Sequence, residues 1–351
     1  MSPNNRTLGL NDTEKESLEE GLLTLTKKAT VDSVLNQNIK FIDLFAGIGG
    51  FHLALDSLGA KCVFASEIDQ SARQTYRTNF KNISPELFED NERLFNVDIT
   101  KIDPKEIPDF DILCGGFPCQ PFSNAGFKKG FEDTRGTLFF NIAEIIRVKQ
   151  PKAFFLENVR GLLNHDNGKT FETIRRVIEE DLGYSFYFKI VKASDYGLPQ
   201  ARPRVFMVGF KNVDQYFEFP THLPLKFNMS EVLGGQCSRE IGFTLRCGGR
   251  GSKITDRRNW DNYWVDQKEQ RLTPQNGLKM QGFPDNFILP KSNTQAMKQL
   301  GNSVAVPAIR AVAEIIIKTL IRELGNNNLV QKEAQKDNFL STYQSEVLQL
   351  F

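Results

Sequence analysis

The residue of this sequence best placed to do chemistry is Cys119, in segment 111–123 with the sequence DILCGGFPCQPFS. The apolar run from Ile112 to Cys114 predicts a short buried strand that two glycines end. Pro118 fixes its own φ and favours an extended conformation in the residue before it, so the thiol leaves the strand end in a restricted direction. A thiol in a polar loop contributes little to packing, and we interpret Cys119 as a nucleophile. Cys114, inside the strand, is better explained as a small apolar residue.

Further charged groups stand at the ends of predicted strands. Glu157 ends the strand predicted at 153–158, and Arg202 and Arg204 stand at the start of the strand predicted at 204–210. A thiolate together with a carboxylic acid suits attack on an electron-poor ring, with the acid hydrogen-bonding a ring nitrogen. Taken singly, the cysteine could equally be inert, the carboxylate fits a structural ion pair, and the arginines could be solvated. Their joint placement at neighbouring strand ends favours a catalytic site.

The segment 45–50, with the sequence FAGIGG, follows the first predicted strand and opens a helix. Glycines allow a ligand to approach the backbone closely, and a helix N-terminus presents free N–H groups. Glu67 stands 20 residues after Gly47, the spacing at which a carboxylate binds the hydroxyl pair of a ribose. This pattern indicates an adenosine-containing cofactor without separating NAD from S-adenosylmethionine, and a tight turn with an incidental acid would give the same pattern. Asp98 is a candidate partner for the adenine amino group or a surface turn residue.

Short apolar strands alternate with helices from Lys40 to Phe210. We predict strands at 41–45, 62–67, 96–100, 111–114, 153–158, 186–191 and 204–210. We predict helices at about 50–58, 69–80, 137–149 and 168–182. This alternation predicts an α/β fold with a doubly wound, mainly parallel sheet, which binds ligands at the carboxyl ends of its strands.

The chain changes character after Phe210. Periodicity is lost over about 211–272, and a helical pattern returns at 305–324. We predict a division into an accessory N-terminal extension at 1–39, a catalytic and cofactor-binding domain at 40–210, a small domain at 211–300, a helix at 301–325 that returns to the catalytic domain, and a polar tail at 326–351. Six basic residues against two acidic ones lie within 239–258: Arg239, Arg246, Arg250, Lys253, Arg257 and Arg258.

Bulk composition bounds the class of protein. The net charge of the 351 residues is +1, so any surface for nucleic acid must be a local patch. Five cysteines at irregular spacing indicate a reducing compartment, and the three histidines and the absence of a Cys-x-x-Cys pair predict no metal site. No stretch has the apolar length of a signal peptide core or a membrane span, which predicts a cytoplasmic protein without a membrane partner.

Six motifs in this order resemble the bacterial DNA (cytosine-5)-methyltransferases of type II restriction–modification systems. They are DLFAGIGG at 43–50, GFPCQ at 116–120, ENV at 157–159, QARPR at 200–204, QGFP at 281–284 and GNSV at 301–304. The resemblance covers about 41–210 and 271–310. It implies a seven-stranded, Rossmann-like fold dependent on S-adenosylmethionine, with a smaller DNA-recognition domain. By position, 211–272 would be the target-recognition region.

The resemblance also implies residue roles. Cys119 would add to C6 of a cytosine flipped out of the duplex, Glu157 would hydrogen-bond N3 and the exocyclic amine, and Arg204, with Arg202 nearby, would hold the base and the acid. The residues implied to contact S-adenosylmethionine are Phe45, Gly47, Gly49, Glu67, Ile68, Asp98, Ile99, Gly116, Pro118, Leu138, Asn302 and Ser303. Ile68 departs from the family because many members carry an aromatic residue there. The glycine-punctuated segment after Cys119, with Lys128 and Lys129, has the composition of a lid that meets phosphates or of an ordinary surface loop. With Ser123 and the six basic residues of 239–258, these lysines are the candidate contacts with DNA. Each arginine of 239–258 could read a guanine edge, hold a phosphate or be exposed to solvent.

Other classes of function fit the motifs less well. A related branch methylates a cytosine of tRNA with the same catalytic set, and a catalytically silent nucleic-acid-binding relative would keep the fold. An exposed thiol has no use in a pure binder. An amino-methylating enzyme needs an Asn/Asp/Ser-Pro-Pro-aromatic motif that the sequence lacks, and nothing supplies a hydride-transfer site. We therefore expect a monomeric enzyme whose partners are double-stranded DNA and a restriction endonuclease of the same site.

Overall fold

The computed structural model describes residues 39–118 and 138–322. Its main strands are β1 (Lys40–Leu44), β2 (Lys61–Ser66), β3 (Phe95–Asn96), β4 (Ile112–Gly116), β5 (Ala153–Val159), β6 (Tyr187–Lys192) and β7 (Pro203–Phe210). A small hairpin pairs β8 (Asn262–Val265) with β9 (Lys268–Arg271). The helices are α1 (Gly50–Asp56), α2 (Gln70–Phe80), α3 (Leu138–Lys149), α4 (Lys169–Arg176), α5 (Met229–Leu233), α6 (Pro274–Gln281), α7 (Asn293–Asn302) and α8 (306–322).

The seven main strands form one sheet in the order β3-β2-β1-β4-β5-β7-β6. The pairs from β3 to β5 are parallel, and β7 runs antiparallel to both of its neighbours. The strand order reverses between β1 and β4, which opens a crevice at the carboxyl ends of those strands. The predicted α/β, doubly wound and mainly parallel fold is confirmed.

Two elements differ from the sequence-based expectation. The third strand was expected at 96–100, but β3 ends at Asn96. Asp98 accepts hydrogen bonds from the N–H and the hydroxyl of Thr100, which starts a 3₁₀ turn at Ile99–Lys101 instead of extending the strand. The sequence predicts one helix at 168–182, whereas the structure has α4 (Lys169–Arg176) followed directly by a π-helical turn at Val177–Asp181.

Local capping chemistry sets where several helices begin. Asp69 accepts the N–H of Ala72 at 2.9 Å and caps α2. Thr273 and Asn276 form a reciprocal capping box at α6, with Pro274 in the first turn. Asp69 and Ala72 line the crevice, so the cap of α2 fixes side chains there.

A cluster of buried side chains lies around the small hairpin. Trp260, Tyr263, Leu272 and Met229 are each 2% exposed or less. The expected apolar face of α8 is likewise buried at Ile309, Val312, Ile316 and Leu320.

The domain boundaries proposed from the sequence stay predictions, and the predicted N-terminal extension, lid and polar tail lie largely or wholly outside the described residues. Among the described helices, none is long and apolar enough to cross a membrane.

Candidate active site

A cavity of about 450 Å³ opens at the carboxyl ends of the central strands. Ten of the twelve residues implied to contact the cofactor line it: Phe45, Gly47, Glu67, Ile68, Asp98, Ile99, Gly116, Pro118, Leu138 and Asn302. The same wall continues to Glu157, Arg202 and Arg204. The predicted cofactor crevice and the predicted acid–arginine site are therefore one continuous space.

Glu157 and Arg204 form the ion pair that their positions in the sequence suggested. The Nε of Arg204 lies 2.9 Å from Oε1 of Glu157, and their side chains are 15% and 10% exposed. Because β5 and β7 are antiparallel, Glu157 lies opposite Phe206 and Arg204 lies two residues away on the same face. A second donor of Arg204, Nη1, is bonded to the carbonyl of Pro203 at 2.9 Å.

Burial raises the pKa of the Glu157 carboxyl above its ordinary value, and the cations of Arg204 and Arg202 offset part of that rise. The acid form is therefore available nearer to neutral pH than for an exposed glutamate. On the next strand, a β-carbon at Gly116 would lie 3.3 Å from Oε2 of Glu157. Glycine at this position leaves room beside the carboxyl group for a ligand.

A hydrogen bond from a buried side-chain amide fixes the backbone just before Cys119, the predicted nucleophile. The side-chain N–H of Asn158, at the end of β5, donates to the carbonyl of Phe117 at 2.8 Å. This bond fixes the backbone one residue before Pro118. Cys119 itself lies outside the described residues.

The residues implied for the lid, Ser123, Lys128 and Lys129, also lie outside the part of the chain that the structure describes. Their predicted contacts with DNA stay predictions.

Arg202 is 2% exposed, and its guanidinium is occupied by main-chain carbonyls. It donates to Leu245 at 3.0 Å, to Gly301 at 2.9 Å and to Ser303 at 2.5 Å. Burial lowers its pKa to about 9, and the neighbouring cation of Arg204 adds to this. The motif predicts a catalytic role for Arg202, and that role stays a prediction. The contacts of Arg202 hold two distant segments at the cavity, which is the contact set of a positioning residue.

Glu67 has a contact that its spacing did not predict. Its Oε2 accepts the N–H of Gly47 at 2.7 Å, and its Oε1 accepts the N–H of Asp69 at 2.7 Å. Burial raises the pKa of this carboxyl, and the backbone N–H groups offset part of the rise. The carboxylate holds the glycine loop, and each oxygen keeps a lone pair for a ligand hydroxyl.

The far end of the cavity presents apolar side chains to open space. Ile68 is 70% exposed and Val97 is 52% exposed, although both line the cavity. Beside them, hydrogen bonds from Thr100 lower the pKa of Asp98 and keep it ionised as an acceptor. Two apolar surfaces with an acceptor at the rim suit a flat heteroaromatic ring such as adenine. Val97 was missed in the sequence because it lay inside a strand expected to be buried.

Two residues implied to contact the cofactor do not line the cavity. Gly49 has φ of 87°, and a β-carbon there would lie 2.2 Å from Cε2 of Phe80, so its glycine serves the packing of α2 against the loop. Ser303 is buried, and its carbonyl accepts from Arg202.

Helix α7 supplies cavity residues that sequence reasoning did not single out. Gln295, Lys298 and Gln299 line the wall. The buried amide of Gln299 accepts from the hydroxyl of Thr75 and donates to that of Ser71, both at 3.0 Å, which fastens α7 to α2. The signal in the sequence that could have identified these residues is their position just before the GNSV motif.

The six basic residues of 239–258 fall into two groups. Three have partners: Arg250 pairs with Asp261, Arg258 pairs with Asp256, and Arg239 stacks on Phe243 at 4.2 Å. The other three are exposed and make no ion pair with any described residue: Arg246, Lys253 and Arg257. Of these six basic residues, only Arg250 and Arg258 are therefore paired with a carboxylate in the part of the chain that the structure describes.

The sheet order, the glycine loop and the cavity at the switch point define a Rossmann-like methyltransferase. A family model described as "C-5 cytosine-specific DNA methylase" matches residues 39–235 and 236–318, and the chain belongs to this family. The type II methyltransferase M.SsoII of Shigella sonnei is 43% identical over 321 residues, 81% of this chain and 82% of that protein. M.HpaII of Haemophilus parainfluenzae is 41% identical over 343 residues, covering 83% of this chain and 92% of that protein.

The fold is shared more widely than the sequence. The Dnmt2 methyltransferase structure from S. pombe superposes with a TM-score of 0.62 at 19% identity, covering 81% of this chain and 99% of that one. Together with the family match, these relatives make the protein a DNA (cytosine-5)-methyltransferase of the type II restriction–modification class.

Proposed function

We propose that the protein transfers a methyl group from S-adenosylmethionine to C5 of a cytosine flipped out of double-stranded DNA, with Cys119 as the nucleophile. The observation that carries this proposal is the continuity of one cavity from the glycine loop to the Glu157–Arg204 pair. A methyl donor bound at one end of that space would face a base held at the other.

The residues present fit the cofactor. Glu67 keeps lone pairs toward the cavity, Asp98 is held ionised, and Ile68 and Val97 offer exposed apolar surface. The volume of about 450 Å³ is within the usual range for small-molecule pockets. When bound, S-adenosylmethionine supplies an electrophilic methyl group.

The chain's own residues activate the base. The sulfur of Cys119 forms a bond to C6. Glu157 donates a proton or a hydrogen bond to N3, which stabilises the negative charge that develops on the ring. The electron pair this places at C5 would take up the methyl group that bound S-adenosylmethionine supplies, and S-adenosylhomocysteine would be the leaving group. Loss of the C5 proton and departure of the thiolate then restore the ring. The base must leave the stack because sulfur and methyl donor approach its opposite faces.

Partners follow from the class of enzyme. We propose double-stranded DNA as the substrate, read by residues 211–272, and a separate restriction endonuclease of the same site as the cellular partner. The names of the relatives as type II methyltransferases support the endonuclease. We also propose that the protein acts as a monomer.

Replacing Cys119 with serine tests the mechanism. We expect Cys119→Ser to keep cofactor and DNA binding and to lose methyl transfer by a factor on the order of a thousand or more, because an alcohol is a much weaker nucleophile near neutral pH. The control is Cys237→Ser, which makes the same change at a half-buried cysteine of the hairpin region and should stay active.

A duplex containing 5-fluorocytosine gives the matching trap. The wild-type protein should form a covalent adduct with it through Cys119, because fluorine at C5 blocks the elimination step. Substantial turnover in Cys119→Ser, or an adduct that survives this substitution, would contradict the covalent role. An adduct with tRNA but none with any duplex would contradict the substrate.

A further inference from the structure

A buried carboxylate holds two arginines beside the loop 248–258. Asp261 is fully buried, with Oδ2 3.3 Å from Nε of Arg250 and Oδ1 3.2 Å from Nη1 of Arg271. A buried carboxylate is tolerated only when it is paired and hydrogen-bonded, so two cations on one acid make a cluster that is costly to rearrange.

Each of the two arginines donates hydrogen bonds to carbonyl groups of the other segment, so together they link the loop to β9 and the residue that follows it. Arg250, from the loop, donates to the carbonyl of Leu272 at 2.6 Å. Arg271, from β9, donates to the carbonyls of Ser252 at 3.0 Å and Gly251 at 3.4 Å. A third tie runs from the indole N–H of Trp260 to the carbonyl of Gly248 at 3.0 Å.

These polar ties replace a core that the loop does not have. Every residue of 248–258 is exposed or half-buried, so burial of apolar side chains contributes little to its conformation. Gly249 and Gly251 have positive φ, which allows the chain to turn tightly between the ties. The charge cluster therefore makes most of the polar contacts that hold the loop to the residues around β9.

The loop leaves directly from the wall of the active site. Arg202 binds the carbonyl of Leu245, and a β-carbon at Gly301 would lie 2.3 Å from the backbone of Arg246. Two cations of the loop, Lys253 and Arg257, project from it without an ion pair to any described residue. The loop therefore carries uncommitted positive charge on a segment that begins two residues after the contact between Arg246 and Gly301.

We propose that Asp261, Arg250 and Arg271 are positioning residues that preorganise loop 248–258 for discrimination between DNA sites, and that Lys253 and Arg257 make the loop's contacts with DNA. This inference rests on the proposed function. Reading a base edge requires donors and acceptors to be placed within hydrogen-bond distance, whereas phosphate contacts tolerate displacement. A preformed loop also avoids the entropy cost of ordering on binding.

The test begins by mapping methylated cytosines in DNA from cells that express the protein, which gives the recognition sequence. The kcat/KM is then measured on that site and on a duplex with one base pair changed. Arg250→Lys keeps the charge but cannot bond both Asp261 and Leu272, so we expect the ratio between the two duplexes to fall tenfold or more while the salt dependence of binding is unchanged. Arg175→Lys, at an exposed pair on α4, is the matched control and should change neither quantity.

The DNA contacts proposed for Lys253 and Arg257 are tested by the salt dependence of DNA binding. Lys253→Ala and Arg257→Ala should each lower the slope of log K against log salt by about 1, because each removes a cation that displaces counterions from the phosphates. Asp261→Asn should behave like Arg250→Lys. If it does not fold, shown by loss of the cooperative thermal transition, Arg250→Lys decides the question alone.

Two results would overturn the inference. One is unchanged site discrimination in Arg250→Lys, and the other is an unchanged salt slope in both Lys253→Ala and Arg257→Ala. A failure of the proposed function would be recognised separately, because the wild-type protein would then form no adduct with the fluorinated duplex.

Discussion

Replacing Gly49 with alanine separates two uses of glycine in one loop. Gly47 and Gly49 both have positive φ, of 55° and 87°. Gly47 lines the cavity, and a β-carbon there would find its nearest neighbour, the carbonyl of Phe45, at 4.0 Å. A β-carbon at Gly49 would collide with the ring of Phe80 and lie 3.1 Å from Tyr76.

The expected magnitudes follow from these surroundings. An L-residue in the left-handed region costs roughly 1–2 kcal/mol, which is the whole expected loss of unfolding free energy for Gly47→Ala. Gly49→Ala adds overpacking of a buried aromatic cluster, which costs roughly 1–3 kcal/mol. We therefore expect Gly49→Ala to lose about 2–5 kcal/mol of stability.

The assay pairs stability with cofactor affinity. Urea unfolding gives the free energy of unfolding of each variant, and calorimetric titration with S-adenosylhomocysteine gives the affinity of the folded protein. Gly49→Ala should be the less stable variant and should keep the greater share of its affinity. Gly47→Ala should be the more stable variant and should bind less well, because its methyl group enters the cavity.

Equal losses of stability in the two variants would refute this reasoning. So would a Gly49→Ala protein that keeps its unfolding midpoint and loses its affinity, because that result would place Gly49 at the ligand instead of against Phe80.

Three further predictions follow from the site and its surroundings. Arg204→Gln removes a cation that lowers the pKa of Glu157, so the fall of the single-turnover methylation rate with rising pH, as the acid form is lost, should move to higher pH. Burial lowers the pKa of His52 from 6.5 to about 3, so its contribution to stability is present above pH 6.5 and is lost as pH falls toward 3; urea unfolding of His52→Gln should show a shallower loss over that window, by up to about 1.4 kcal/mol per pH unit. Ile68→Phe should tighten S-adenosylhomocysteine binding by about 0.5–1.5 kcal/mol in calorimetry if the ring stacks on adenine, and an unchanged affinity would place adenine elsewhere.

Local patterns predicted the features that depend on strand ends. The alternation of strands and helices gave the sheet, and Glu157 and Arg204 could be brought together because both stand at strand termini on the same edge. Eight of the cofactor residues that the family resemblance implies follow strand ends and reach the cavity for the same reason, whereas Leu138 and Asn302 reach it from helices. A short-period sequence pattern predicts such positions because it shows which face and which end of a helix or strand a residue occupies.

Features built from distant segments could not be predicted in this way. Arg202 is separated by 43 residues from Leu245 and by 101 from Ser303, and no periodicity connects them. The difference between Gly47 and Gly49 depends on where Phe80 packs. Asp261 looked like an ordinary polar residue because its burial depends on two arginines, one before it and one after it in the sequence.

The antiparallel strand β7 is what closes the catalytic end of the site. In a wholly parallel sheet, the residue beside the carboxyl end of β5 would be the last of its neighbour strand. Because β7 is reversed, its first residues lie there, and Val159 pairs with Arg204. The arginine motif therefore precedes its strand in the sequence, while the acid motif ends one. The same reversal directs the chain that enters β7, with Arg202, across the cavity, where it reaches the carbonyls of Leu245 and Gly301. One reversed strand thus places Arg204 beside the acid and holds the segment from which loop 248–258 begins, so exchange of Arg204 should change the chemistry of the site.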